Sequence, residues 1–281
     1  MDSTAVGSRI TDDESPLVSV IIPTFGRPEY LSDAVRSVTD QTYRPIELIV
    51  VDDNSELAVQ LDPIEGVLLK IVRHVRNLGP GAARNSGMAH ASGQYVTFLD
   101  DDDRLHPDRI RVGVDDIGEA FMHSVSSNRS QRAFEGDMRN TLQHGELPSV
   151  TQVLFRRSDL LQFDSTLRVS EDIEWWIRMT DRAVFSRSAM IGLMIRQHDS
   201  IRPGVDHRVR ARCRTAVLER HYRHLDRRGR SFHLLRAASA ELVAGRRLVA
   251  ARYASMSWLA RPSLLAAKIV ANLFRRPGRA E

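Results

Sequence analysis

The sequence predicts an α/β protein built on a mainly parallel sheet with helices on both faces, followed by a helical extension. Three observations carry this expectation. Residues 17–23 (LVSVIIP), 46–51 (IELIVV), 67–72 (VLLKIV) and 95–99 (YVTFL) are continuous apolar runs of strand length, as expected of strands covered on both faces. Two intervening segments have helical character, giving the order strand, helix, strand, strand, helix, strand. Polar groups also gather where the strands end, at the edge where open α/β sheets bind ligands.

Taken in order, residues 1–15 are polar and acidic and read as a disordered leader with no apolar signal core. The first strand stops at Pro23 and is followed by Thr24, Phe25, Gly26 and Arg27. Pro28 then opens a helix to about Gln41, with Tyr30, Leu31, Ala34, Val35 and Val38 on its apolar stripe. The second strand ends in Asp52-Asp53-Asn54-Ser55, which is turn chemistry as well as a candidate polar site. The third leads into Asn77-Leu78-Gly79-Pro80-Gly81 and a helix from about Ala82 to Ala91. Arg84 stands where a dinucleotide loop would have its third glycine, which weakens that reading.

The fourth strand runs into Asp100, Asp101, Asp102 and Asp103, with Pro107 expected to begin a helix that continues over residues 110–121. Adjacent carboxylates repel unless water or a cation offsets them. An all-oxygen set of this kind suits Mg²⁺ or Mn²⁺. Asp52 could accept the imide N–H of a uracil ring, and arginine forks could hold diphosphate oxygens.

Composition narrows the classes. The chain has 281 residues, 42% hydrophobic and 27% charged, which is ordinary for a globular protein with one large core or one domain plus an appendage. The single Cys213 precludes an internal disulfide and fits a reducing, cytoplasmic setting. No run reaches the roughly 18 apolar residues of a membrane span. Net charge is +4, and beyond Arg202 arginines far outnumber acids. That asymmetry is compatible with nucleic acid, anionic lipid or an acidic substrate.

Residues 18–25 (VSVIIPTF), 47–55 (ELIVVDDNS), 81–87 (GAARNSG) and 95–107 (YVTFLDDDDRLHP) resemble the signature segments of family 2 glycosyltransferases, in that family's order and spacing. The resemblance covers about residues 17–199. It implies a GT-A fold, which is a Rossmann-like, mainly parallel sheet flanked by helices, over residues 16–200, with residues 201–281 as a helical extension. It also implies a nucleotide-sugar donor, favoured as UDP-linked, a divalent Mn²⁺ or Mg²⁺, and inversion at the anomeric carbon. Pro23, Thr24, Phe25, Arg27, Asp52, Arg84, Asp100 and Asp101 would then serve the nucleotide sugar. Asp102 would touch the metal, within an element that the sequence alone does not resolve among its four aspartates.

Downstream, residues 124–147 read as acceptor-facing loops and residues 150–155 as a strand. Residues 170–179 read as a helix capped by Ser170, with acids in its first turn. This segment resembles the family's Glu-Asp element, which implies Asp172 as catalytic base. Trp175 and Trp176 could face sugar or core. His198, in a segment resembling the family's histidine element, could complete the metal shell, touch acceptor or phosphate, or serve structure. Residues 207–225 and 232–243 read as helices broken around Arg228-Gly229. Residues 262–276 form an amphipathic, basic-ended segment for packing or for peripheral contact with the inner membrane face. The expected acceptor is a glycan, a lipid-linked saccharide or a small molecule. Two other classes are a nucleotidyltransferase acting on sugar phosphates and a basic nucleic-acid binder. The first leaves the Glu171-Asp172 helix without a role, and the second lacks any recognised nucleic-acid module.

Overall fold

The computed structural model describes residues 15–130, 136–137, 147–179, 184–196, 206–263 and 267. Its first half follows the apolar runs closely. Strands β1 (Val18–Thr24), β2 (Ile46–Asp52) and β4 (Tyr95–Phe98) are almost wholly buried, whereas β3 (Val67–Arg73) alternates as an edge strand. Helix α1 (Pro28–Thr39) lies between β1 and β2, and α2 (Pro80–His90) between β3 and β4. Successive β1 residues point to opposite layers. Val20 and Ile22 meet Leu31, Val35 and Val38 of α1, while Ile21 joins the layer containing Ala83 of α2. Gly87 is needed there, because a Cβ at this position would sit 2.3 Å from the Ile21 side chain.

These strands are parallel in the order β3-β2-β1-β4, so their carboxyl ends share one edge, with Thr24 directly opposite Asp52. The sheet then becomes mixed. Past β4 it continues through β8 (Val153–Arg156), β6 (Met122–Ser127), β9 (Val184–Met194) and β5 (Arg104–Leu105), with β7 (Gly136–Asp137) paired to β9. Strand β8 is antiparallel to β4 and β6, and β6 is parallel to β9.

Several expectations need correction. Pro107 does not begin a helix, since β5 intervenes and α3 (Arg109–Asp116) starts two residues later and stops well before Phe121. Residues 124–127, expected as the start of acceptor-facing loops, belong to the buried central strand β6 (Met122–Ser127). Of its polar side chains, His123 Nδ1 lies 3.0 Å from Ser186 Oγ, whereas His123 Nε2 and Ser126 Oγ are buried without a hydrogen-bond partner among the described residues. Residues 150–152 form a 3-10 turn before β8. Ser170 does not have an extended N-cap backbone, for its φ is +65°.

Beyond α4 (Glu171–Met179) and β9, three helices make up the extension: α5 (His207–His221), α6 (Arg227–Val243) and α7 (Arg247–Ala260). The expected break at Arg228-Gly229 lies inside the first turn of α6, where Asp226 caps the helix by accepting from Gly229 N at 2.7 Å. Alanines 237, 238 and 254 are fully buried and let α6 and α7 approach closely, and Ser231 and Ser257 hydroxyls meet at 2.9 Å. Among the described residues no helix is long and apolar enough to cross a membrane.

Candidate active site

The site begins where β1, β2 and β4 run out. Thr24 closes β1, accepts Asp53 N on its carbonyl, and donates its hydroxyl to Asp101 Oδ2 at 2.7 Å. Pro23 precedes it within the strand, opposite Val51. Phe25 then leaves the sheet with half its side chain exposed at the open edge, an aromatic face on which a base can stack.

Asp52 is fully buried and holds the turn after β2. Its Oδ1 accepts from Ser55 N at 2.8 Å, and its Oδ2 accepts from Val59 N and from Arg73 Nη1 at 2.6 Å. Burial acts to raise this carboxyl, but hydrogen bonds from Ser55 and Val59 and the charge of Arg73 hold it below the usual carboxylate range. Asp53 cradles the next turn, accepting Leu78 N and Gly79 N and meeting His74 Nδ1 at 2.7 Å. Sequence reasoning did not separate Asp53 or Arg73 from their surroundings. The only signal was the second aspartate of the pair.

The four aspartates divide according to where each points. Asp101 turns inward, with Thr24 on one oxygen and Arg27 Nη2 2.6 Å from the other. Burial pushes its carboxyl up to about 6, Arg27 and Thr24 oppose this, and Asp102 and Asp100 add to it. Asp102 Oδ2 accepts from Arg27 Nη1 at 2.7 Å. Asp103 Oδ1 accepts from Arg196 N at 3.1 Å. Asp100, Asp102 and Asp103 each offer one oxygen within 4.8 Å of the others. Oxygens on one Mg²⁺ or Mn²⁺ ion, with ligand distances of roughly 2.0–2.2 Å, stand at most about 4.4 Å apart, so these three could share an ion with little movement. Of the four aspartates left open by the sequence, Asp100, Asp102 and Asp103 group together, and Asp101 is the member of the run facing away.

Arg84 ties this loop to α4. Its side chain is buried, with Nη2 3.0 Å from Asp100 Oδ1, Nη1 2.9 Å from Glu171 Oε1, and Cζ 5.5 Å from the Phe163 ring centroid. Burial disfavours its charge, but Asp100, Glu171 and Asp172 more than compensate. Glu171 is pushed up by burial and by Asp172, against the pull of Arg84. Ser170, in left-handed backbone that a non-glycine residue adopts only at a cost, turns the chain so that Glu171 and Asp172 open the helix. Asp172 is only partly buried, and its Oδ1 accepts from Ile173 N at 2.8 Å. Trp175 and Trp176 are at most 1% exposed and pack with Phe155, so both are core and neither faces a sugar. His198 lies outside the described residues.

The residues brought to one edge are therefore Pro23, Thr24, Phe25, Arg27, Asp52, Arg84 and the aspartate run, with Asp172 linked to them through Glu171 and Arg84. The model of "Glycosyl transferase family 2" matches residues 19–192. The chain belongs to that family.

Curated relatives of the chain are named as glycosyltransferases. A GalNAc(5)-diNAcBac-PP-undecaprenol beta-1,3-glucosyltransferase of Campylobacter jejuni is 34% identical over 113 residues, which are 38% of this chain and 37% of that protein. A putative teichuronic acid biosynthesis glycosyltransferase of Bacillus subtilis is 38% identical over 100 residues, 34% of this chain and 39% of that one. The match thus spans well under half of either relative. Among solved structures, S. aureus TarS 1-349 in complex with UDP-GlcNAc superposes with a TM-score of 0.58 at 17% identity, covering 92% of this chain and 89% of that one. A Pyrobaculum calidifontis mannosyltransferase in complex with GDP-Man and Mn²⁺ gives 0.54 at 19% identity, covering 92% and 79%. These likenesses establish the GT-A fold.

Proposed function

We propose that the enzyme moves a sugar from a nucleotide-sugar donor, UDP-linked, to an acceptor hydroxyl, with inversion at the anomeric carbon and dependence on a divalent metal. The observation that carries this reading is the Arg84 bridge, which joins the acid cluster at the β4 end to the helix start that bears Asp172. Two likenesses support the donor side, TarS in complex with UDP-GlcNAc and the mannosyltransferase in complex with GDP-Man and Mn²⁺. A lipid-linked saccharide is the acceptor we favour among glycans and small molecules, because a relative is named for such a substrate.

In this reading Phe25 stacks on the base, and Thr24 and the Asp52 turn shape the nucleoside pocket. Asp100, Asp102 and Asp103 would hold Mn²⁺ or Mg²⁺, a group that neutralises charge on a leaving diphosphate. Arg27 and Arg84 add fixed positive charge on the same side. Asp172 accepts the proton of the acceptor hydroxyl as its oxygen bonds to the anomeric carbon. The bond from that carbon to the diphosphate oxygen breaks on the opposite face, and the nucleoside diphosphate departs with the electron pair. In this reading residues 16–200 constitute the catalytic unit and residues 201–281 an appendage, of which α5 packs on α4.

Helix α7 carries exposed Leu248, Trp258 and Leu259 beside Arg247 and Arg252, with no acid in the helix. Such a face suits peripheral contact with an anionic bilayer from the cytoplasmic side. The amphipathic segment read at residues 262–276 falls mostly outside the described residues.

A thermal-shift panel of UDP-, GDP- and dTDP-sugars, with and without Mn²⁺, tests the donor reading. The expected result is metal-dependent stabilisation by UDP-sugars. Equal stabilisation by all nucleotides, or by none, contradicts it.

A further inference from the structure

The extension holds positive charge that the donor edge does not use. Arg210 and Arg214 stand four residues apart on α5, on one face of the helix. Arg236 stands on α6, and Arg214 Nη1 donates to its carbonyl at 3.5 Å. Among the described residues none of the three forms an ion pair with a carboxylate. The Nε atoms of Arg210 and Arg214 are buried with no hydrogen-bond partner. His233, one turn before Arg236 and 5% exposed, also has a buried Nε2 without a partner.

Unpaired buried donors are costly, and neighbouring like charges add to the cost. Burial, and then Arg236 and Arg210, hold Arg214 below the usual guanidinium range. Burial does the same for Arg236, with Asp172 opposing. Packing locates the cluster near the start of α4, which bears Asp172. Ile173, the next residue, shares an apolar cluster with Cys213 and Val217 of α5. Arg214, next to Cys213, therefore stands near the start of α4, whereas Arg27 and Arg84 at the donor edge are already engaged by acids.

We propose that Arg210, Arg214 and Arg236 form an anion subsite beside Asp172 that receives a phosphate ester of the acceptor. This rests on reading the chain as a transferase with Asp172 at the acceptor. Three guanidinium groups exceed what one carboxylate neutralises, and their planar forks suit phosphate oxygens. The phosphate could belong to the diphosphate of a lipid carrier or to a polyol-phosphate chain. In either case it would set which hydroxyl reaches the base.

The test is isothermal titration of inorganic phosphate into the full chain already saturated with UDP and Mg²⁺. The preceding UDP titration reads the donor site alone, so absent UDP binding counts against the donor reading and not against this cluster. The expected result is one phosphate site whose affinity falls roughly ten- to a hundred-fold in Arg214→Gln and in Arg236→Gln, with partial recovery in Arg214→Lys. Unchanged phosphate affinity in folded, UDP-binding variants overturns the proposal, as does the absence of a phosphate site in the wild type. Displacement of phosphate by geranyl diphosphate assigns the lipid carrier, and displacement by a short glycerol phosphate oligomer assigns the polymer. Displacement by neither also overturns it.

Discussion

Neighbouring acids at the start of α4 have different work to do. Glu171 turns inward to Arg84, while Asp172 stays partly exposed beside it. Asp172→Asn keeps size and shape but removes the proton acceptor, so turnover should fall ~10²–10⁴-fold with donor affinity nearly unchanged. Steady-state rates combined with UDP titration check this, and a variant with wild-type turnover would move the base elsewhere. Glu171→Gln is not a silent control. It leaves the buried Arg84 with Asp100 alone and should cost about 3 kcal/mol in denaturant unfolding. The aspartate run was legible in the sequence as a strand-end cluster. Which member faces inward was not, because Arg27 contacts Asp101 and Asp102 across some seventy residues of chain. Nothing local to either segment announces that pairing.

Strand pairing in the donor half depends on another buried acid. Glu47 of β2 accepts from Ser19 of β1 at 2.6 Å, from Ser92 before β4, and from Lys70 of β3 at 2.5 Å. Burial acts to raise its carboxyl, but these partners bring it down to about 2. A carboxyl lower in the folded than in the unfolded chain adds stability above about pH 4.5, and that contribution is lost as pH falls toward 2. Glu47→Gln should therefore lose on the order of 2 kcal/mol at pH 7, allowing for the half-exposed Lys70, and show a flatter acid limb. Denaturant melts at pH 7 and pH 3 check this, and equal losses at both would contradict it. Elements of this half were readable because β1, β2 and β4 are continuous apolar runs. Strand β6 was not, since four of its six residues are serine or histidine, which give no apolar signal in the sequence. Strand β9 has few fully buried positions and carries exposed Arg187 between two serines, so its apolar signal is diluted.

The whole molecule couples a GT-A catalytic half to a three-helix extension that rests on α4. His221 of α5 lies 3.1 Å from Glu174, and Arg220 pairs with Asp164. The outer face of α7 is left apolar and basic. Replacing Leu248 and Leu259 together with glutamine should reduce co-sedimentation with phosphatidylglycerol vesicles severalfold, while neutral vesicles bind neither form. Equal sedimentation of both forms would remove α7 as the contact. The extension was legible in the sequence only as helical and basic. Its breaks were displaced because Asp226 caps α6 just upstream of the glycine that suggested an interruption.

The central claim is that the acid cluster at the β4 end holds the donor through a divalent ion. Isothermal titration of UDP into the wild type and Asp102→Asn, each with Mn²⁺ and with chelator, tests it most directly. The account predicts Mn²⁺-dependent UDP binding in the wild type that weakens at least tenfold in Asp102→Asn, while both chains keep the same thermal transition to within a few degrees. UDP binding that is equally tight with chelator, or unaffected by Asp102→Asn, would contradict it.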